Sequence, residues 1–385
     1  TVVPRSDFSP GRSGRFDRYD DKSPREGITP SMTIVADTYT YVVGVDTHAA
    51  THHYAIIEAR TGAVVDHAQF PTHTKGLLRA AAWIARRTGE PTGDLDQVLV
   101  SIEGTRSYGA QLATLLAHTG YRVVDAPSPK RERGSGKNDH IDAIAAARGR
   151  LNKDTTKLAD ARAGQVSAAL QVLLTARNSM TSERTRAVNA LNALLRVHDL
   201  GVDARRKINR PTIRTIAAWR TRKNDTLVLT TARGEAIRLA TRILALDVEV
   251  GANERDLLAI VASTAPTLLD LTGVGPVNAA IVLTAWSHPG RVRHDAAFAK
   301  LGGACPLEVS SGNHDEHRLN RTGDRQLNRA LHSIAKTRMR HDPRTRDYVE
   351  RRTTQGLSKP RIRRCLKRYI ARELYRHLAT GVDTL

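Results

Sequence analysis

The sequence predicts a multidomain α/β plus α protein. An N-terminal domain carries a mixed sheet with helices, a helical coiled-coil-like middle follows, and the C-terminal domain is mainly helical. Three observations predict this. The chain has 385 residues, more than one ordinary domain needs. Short β-branched runs alternate with helical periodicity between Tyr39 and Ala126. From Asp139 to about Leu200 strand signals vanish, and Ala, Leu, Arg and Gln recur at helical spacing.

Residues 1–38 are rich in Ser, Pro, Gly, Arg and Asp without apolar periodicity. Such a stretch cannot bury enough surface to offset its ordering entropy, so a disordered leader is expected. Met32 lies just before the first structured segment, as it would if an upstream extension preceded it. A domain over 39–155 opens with TYTYVVGVDTH, HHYAIIEA and AVVDHAQF, separated by turns such as Arg60-Thr61-Gly62, which reads as a three-stranded meander. A helix near Lys75 to Arg87, the strand QVLVSIEG, a helix near Tyr108 to His118 and the strand YRVVDA complete the order βββαβαβ, closed by a helix.

The middle domain, 156–264, has apolar faces made by Leu170, Leu173, Leu174, Leu191, Leu194 and Leu195, and again by Ile237, Leu239, Ile243, Leu244 and Leu246. The two stretches pack as an antiparallel hairpin or against another subunit, and the pattern leaves both open. The last domain, 265–385, begins with LLDLTGVGPVNAAIVLTAW, a Gly-Val-Gly turn between apolar helical stretches.

Composition narrows the function classes. Lys and Arg number 60 against 39 Asp and Glu, a net charge of +21 that suits a polyanionic partner. Between Arg318 and Arg376 there are 19 Lys or Arg and 5 Asp or Glu, so a net +14 resides in that segment. Aromatic residues are only 4%, which argues for phosphate contacts over base stacking. The two cysteines, Cys305 and Cys365, fit neither a zinc site nor a disulfide framework, as expected of a reducing cytoplasm. No apolar run approaches the ~20 residues of a membrane span, and no signal peptide opens the sequence.

Four carboxylates carry the chemistry. Asp46 follows an apolar strand in VVGVDTH, and Glu103 ends a second strand in VLVSIEGT. In KNDHIDAIAAAR, Asp139 and Asp142 are three positions apart on one helix face. Like charges at that spacing repel on a bare helix, and a bound cation removes the penalty. A hard divalent ion prefers such oxygen ligands, and two ions about 3.5–4 Å apart activate a nucleophile and steady a leaving oxygen in phosphodiester cleavage. Each acid taken singly reads better as a turn, cap or first-turn residue; the ordered set reads as a metal site. Asp66, Asp96 and Asp125 lack that arrangement. His48, His52, His53, His140 and His314 read as structural or surface residues, with His48 and His140 notable only as neighbours of proposed ligands.

GVDTH, IEGT and KNDHIDA resemble the blocks of the IS-one-ten class of DEDD insertion-sequence transposases, described as bridge-RNA-guided recombinases. LTGVGPVNAA resembles that family's helix-hairpin-helix-like entry, and FAKLGGACP, SSG and LNRTGDRQLNRAL resemble the blocks after it, so the likeness covers roughly Tyr41 to Ala335. The resemblance implies an RNase H-like (RuvC-like) N-terminal domain holding Mg²⁺, or Mn²⁺, with Asp46, Glu103, Asp139 and Asp142. It also implies a serine that forms a covalent phosphoserine with DNA; the matching position is Ser311, with Ser310 its rival. Asn328 stands where the family's block often has Arg.

Nucleic-acid contacts are expected from Arg318, Arg321, Arg325 and Arg329, and from Gly273 and Gly275, whose turn before a helix either receives a phosphate or permits close packing. The partners implied are DNA, a structured guide RNA and further copies of the chain as a homodimer or homotetramer, with no membrane; the compartment is the bacterial cytoplasm, at the nucleoid. A metal-dependent nuclease without serine chemistry, acting on junctions or on RNA/DNA, is the second reading. A non-catalytic nucleic-acid scaffold is the third.

Overall fold

A computed structural model describes residues 33–89, 95–126, 139–311, 314–318, 320 and 323–381, with backbone alone for 308–311, 314–318 and 381. Two compact units divide the chain. The first comprises the described parts of Thr1–Asp46, Ala50–Ser101 and Ala126–Leu158, and the second Thr47–Ala49, Ile102–Asp125 and those of Ala159–Leu385.

The N-terminal sheet has five strands: β1 (Tyr41–Thr47), β2 (Thr51–Glu58), β3 (Val64–Pro71), β4 (Val98–Ile102) and β5 (Arg122–Asp125), in the order β3-β2-β1-β4-β5. This mixed sheet with its helices is an RNase H-like arrangement, as the resemblance implied. β2 and β3 pair antiparallel, with an irregularity at Ile56/Ile57. The first helix, α1 (Val35–Thr38), lies inside the stretch expected to be leader. That expectation is corrected for its last residues: Val35 is fully buried and its N–H donates to the Lys153 carbonyl at 2.9 Å, so the backbone has partners that the sequence pattern did not reveal.

On the first unit, α2 (Thr74–Arg87) is capped by His73, whose Nδ1 accepts the Gly76 N–H at 3.2 Å. Leu77, Ala80, Trp83 and Ile84 recur at helical spacing and bury, and Tyr54 sets its ring edge-on to Phe70 and Trp83. α3 (Ala110–Thr119), which ends at Gly120 with φ +104°, belongs to the second unit, whereas α4 (Asp139–Arg148) belongs to the first.

In the second unit, α5 (Gln165–Val197) and α7 (Leu227–Thr264) form an antiparallel hairpin. The direction follows from pairings whose numbers run oppositely: Asn253 donates to the Leu173 carbonyl, Arg177 meets Glu254, and Arg184 meets Asp247. Packing thus selects the hairpin among the two open readings. Between them lies α6 (Arg210–Ala217), capped by Asn209 with Pro211 in its first turn, a start signal the sequence reading passed over.

Leu170, Leu174, Leu257 and Val261 of the hairpin share one core with the last helices: α8 (Pro276–Trp286), α9 (Asp295–Leu301), α10 (Arg325–His341) and α12 (Lys359–Gly381), with α11 (Pro343–Thr354) between the last two. Leu327, Leu331 and Ile334 of α10 are fully buried there, roughly 1.5–3 kcal/mol each. A hairpin of β6 (Leu307–Ser311) and β7 (His314–Arg318) precedes α10. Among the described residues no helix is long and apolar enough to cross a membrane.

Candidate metal centre and basic cleft

Gly44 explains why an acid from a helix meets one from a strand. A Cβ there would lie 2.0 Å from the Ala143 carbonyl oxygen and 2.6 Å from the Ala147 nitrogen, so α4 rests directly on the β1 backbone. Two residues on, β1 presents Asp46; one turn before Ala143, on the face that carries Ala143 and Ala147, α4 presents Asp139. Asp46, His48 and Asp139 each offer a ligand atom, and those atoms lie within 4.8 Å of one another.

Asp46 is 7% exposed, so its carboxylate is largely removed from water while still facing a like charge. His53 Nε2 stands 3.5 Å from Asp139. The His67 and His140 rings are 3.7 Å apart between centroids, and the His140 pKa is lowered by burial, then by His67 and His53.

The donor set fits a divalent cation. Two carboxylates would suit Mg²⁺, and an imidazole from His48 would favour Mn²⁺. His48, which the sequence marked only as a neighbour of proposed ligands, lies with Asp46 and Asp139 in this group. The sequence signal for this grouping is Asp-x-His at the end of β1, since positions i and i+2 share a face.

Glu103 follows β4 directly. Its carbonyl accepts the Thr47 hydroxyl at 2.9 Å, tying the end of β4 to the residue after Asp46. Glu103 and Asp142 are not in the three-residue group. For Asp142 the helix gives a reason: it lies off the opposite side of Asp139 from Ala143, the residue that contacts Gly44.

In the second unit, Thr105 donates to Asp125, which gives that acid a structural role, and Arg106 sits 3.5 Å from Asp324. Asp324 caps α10 by accepting the Gln326 and Leu327 N–H groups at 2.8 and 2.9 Å, and Arg162 pairs with it. Burial raises the Asp324 pKa, but the Leu327 N–H and Arg162 outweigh it and hold the carboxyl below the usual carboxylate range. Gly323 makes the approach: at φ +102°, a Cβ would lie 2.4 Å from the Leu301 carbonyl oxygen.

Beyond this cap, α10 and α12 border a cleft of about 710 Å³ lined by Arg325, Arg329, His332, Arg363, Arg364 and Lys367, among others. Asn328 does not stand in for an arginine: its Nδ2 donates to the Gly302 carbonyl at 2.7 Å and its Oδ1 accepts from Lys367 Nζ at 2.8 Å. Arg329 reaches Asn178 on α5 at 3.0 Å.

The hairpin register pairs Ser311 with His314 and Ser310 with Asp315, so both serines sit at its tip. Their side chains, and that of Arg318, lie outside the described residues, as does all of Arg321. At Gly273, φ +85°, a Cβ would lie 3.2 Å from the Ile334 carbonyl oxygen, which is the close-packing reading; Gly275 caps α8 with open space where a Cβ would stand.

Comparisons with known proteins agree with this layout. A DEDD-type IS110 transposase family model matches residues 43–198, and the Transposase IS116/IS110/IS902 family model matches residues 265–350. The chain is similar to the insertion element IS900 uncharacterized 42 kDa protein of Mycobacterium paratuberculosis, 27% identical over 318 residues, covering 68% of this chain and 78% of that one. The four carboxylates fall in the first matched stretch, and both serines in the second.

Proposed function

Because the chain belongs to the IS110 family of DEDD transposases, we propose that it cuts and rejoins DNA strands by transferring a phosphodiester to its own serine. The observation that carries the metal half is the convergence of Asp46, His48 and Asp139 within 4.8 Å. Glu103 and Asp142 complete the ligand set in this reading, Glu103 from the end of the adjacent strand and Asp142 from α4. A divalent ion held there supplies charge stabilisation at the phosphoryl oxygens and lowers the pKa of a bound hydroxyl.

Ser311 is the nucleophile of this scheme, with Ser310 its alternative. The hydroxyl attacks phosphorus, the sugar oxygen leaves, and the phosphoserine conserves the bond until a second strand's hydroxyl displaces the serine. Serine needs such activation because it is a weak nucleophile at its free pKa. Arg318, Arg321 and Arg325 clamp the phosphoryl oxygens as charge builds on them. A structured RNA selects the DNA by base pairing and is held through phosphates, and two or four copies of the chain assemble on it.

The test is covalent trapping. End-labelled DNA incubated with protein and Mg²⁺ should comigrate with the polypeptide under denaturing conditions, and Ser311→Ala should abolish the adduct while Ser310→Ala retains it. Free cleaved ends without any adduct would instead assign hydrolysis by the carboxylate site. Sequencing the RNA that copurifies with the protein tests the guide: a discrete structured species supports it, and random fragments remove it.

A further inference from the structure

We propose that the cleft between α10 and α12 is a phosphodiester-binding site, holding the backbone of a nucleic acid against Lys367 and Arg363 without reading its bases. The proposal rests on the chain being a nucleic-acid enzyme, and it engages α12, which lies beyond both stretches that the family models match.

Lys367 is the central observation. It is 9% exposed, yet its described hydrogen bond goes to a neutral amide, Asn328 Oδ1 at 2.8 Å. The Asn328 amide is locked by the Gly302 carbonyl, so its oxygen faces the ammonium and orients it without neutralising it. Nearby, the Nε of Arg363 is buried without a hydrogen-bond partner. A charge withdrawn from water and left uncompensated costs several kcal/mol in general, and an incoming anion returns much of that.

The cleft holds one carboxylate, Asp324, and it is already committed to the α10 N-terminus, Arg162 and Arg106. Among the described residues no carboxylate stands within ion-pair distance of Arg325, Arg329, Arg363, Arg364 or Lys367. The crowding of positive charge disfavours further protonation here. The Lys367 pKa is lowered by burial and by Arg363, and that of His332 by burial, Arg363, Lys367 and Lys336.

The shape of the lining selects the ligand. Guanidinium groups from two helices present planar forks that match phosphate oxygens, and on each helix cationic residues lie one turn apart, Arg325 and Arg329 on α10 and Arg363 and Lys367 on α12, as suits a polymer of phosphates. Apart from the His332 imidazole, no aromatic ring lines the cleft, and Pro360 is its one proline, so nothing there offers a broad platform for a base. A free nucleotide would lack a stacking partner; a backbone needs none.

The experiment measures binding of the full chain in EDTA, where no strand is cut, to a fluorescent DNA duplex of arbitrary sequence and to an RNA stem-loop, across about 50–200 mM salt. Lys367→Met and, at an exposed position that leaves the core untouched, Arg364→Gln are compared with Arg206→Gln, an exposed site remote in sequence from the cleft. The cleft variants should weaken binding about tenfold and flatten the logarithmic salt slope by about 0.9 for each duplex phosphate that the protein no longer neutralises. Whichever probe shows the flattening identifies the backbone held. Unchanged slopes for both probes, or an equal flattening by Arg206→Gln, overturn the proposal. Failure of cleavage by wild-type protein with Mg²⁺, with the slopes still flattened, would remove the catalytic reading and leave the cleft in place.

Discussion

The carboxylate centre and the basic cleft gather like charges by different means. At the first, Asp46 and Asp139 come from a strand and a helix pressed together at Gly44, and His48 follows along the same strand end. At the second, five cationic side chains come from two helices whose opposite faces share one apolar core. Folding holds each set against its own repulsion. Sites of this kind are costly to the empty protein and gain when the opposite charge arrives. The cleft borders a carboxylate, Asp324, that is already the counter-charge of Arg162, and that commitment is open to test.

Asp324→Ala should produce the largest effect. It removes an N-cap and leaves Arg162 buried without its carboxylate, a loss of about 3–5 kcal/mol in urea unfolding. The pH dependence gives the sign: with the folded pKa depressed, the stabilisation is full above the unfolded value near ~4 and is lost as pH falls through the folded one. A wild-type-like urea midpoint for this variant would show that Asp324 is not the counter-charge described here.

Asp46→Asn or Asp139→Asn should lower Mg²⁺-dependent strand cleavage by at least about 10²-fold, since removing a ligand costs no less than removing the groups that orient one. The same variants should keep or slightly raise the melting temperature without metal, because a like-charge contact is gone. In wild-type protein, Mg²⁺ at a hundred times its Kd should add about 2.7 kcal/mol, and neither variant should show the gain.

Gly44→Ala sharpens the origin of the acidic centre. The added methyl meets backbone at 2.0 Å, so α4 must shift, at about 1–3 kcal/mol. Loss of the Mg²⁺-induced gain with both carboxylates still present would show that the strand–helix approach assembles the site.

The smallest effect separates the two glycines before α8. Gly273→Ala should cost about 1 kcal/mol or more, through its positive φ and the Ile334 carbonyl, without altering the salt slope of DNA binding. Gly275→Ala has open space and φ −87°, so its stability should stay within about 0.5 kcal/mol. A drop in DNA affinity for that variant alone would assign the turn to phosphate binding.

Much of the fold was legible along the chain. All five N-terminal strands and the helices between them follow from local periodicity, as do the two long helices, because alternation and helical repeats report which face each segment buries. The short segments were less legible. α1 owes its place to hydrogen bonds with residues near Lys153, and α6 depends on a cap at Asn209 within a polar stretch. Burial of so few apolar residues leaves little periodicity to read.

The sequence by itself determined the carboxylate chemistry, the polyanion-binding charge and the resemblance to a transposase family, since these depend on residue type and order. Tertiary structure decided which acids meet. Asp46 and Asp139 are 93 positions apart, and only the lack of a side chain at Gly44 lets α4 lie on β1 and bring them together with His48. It likewise turned Asn328 from a missing arginine into the support of Lys367. Charges and hydrogen bonds act through space, and the spacing of residues along a chain does not set the distances between their side chains.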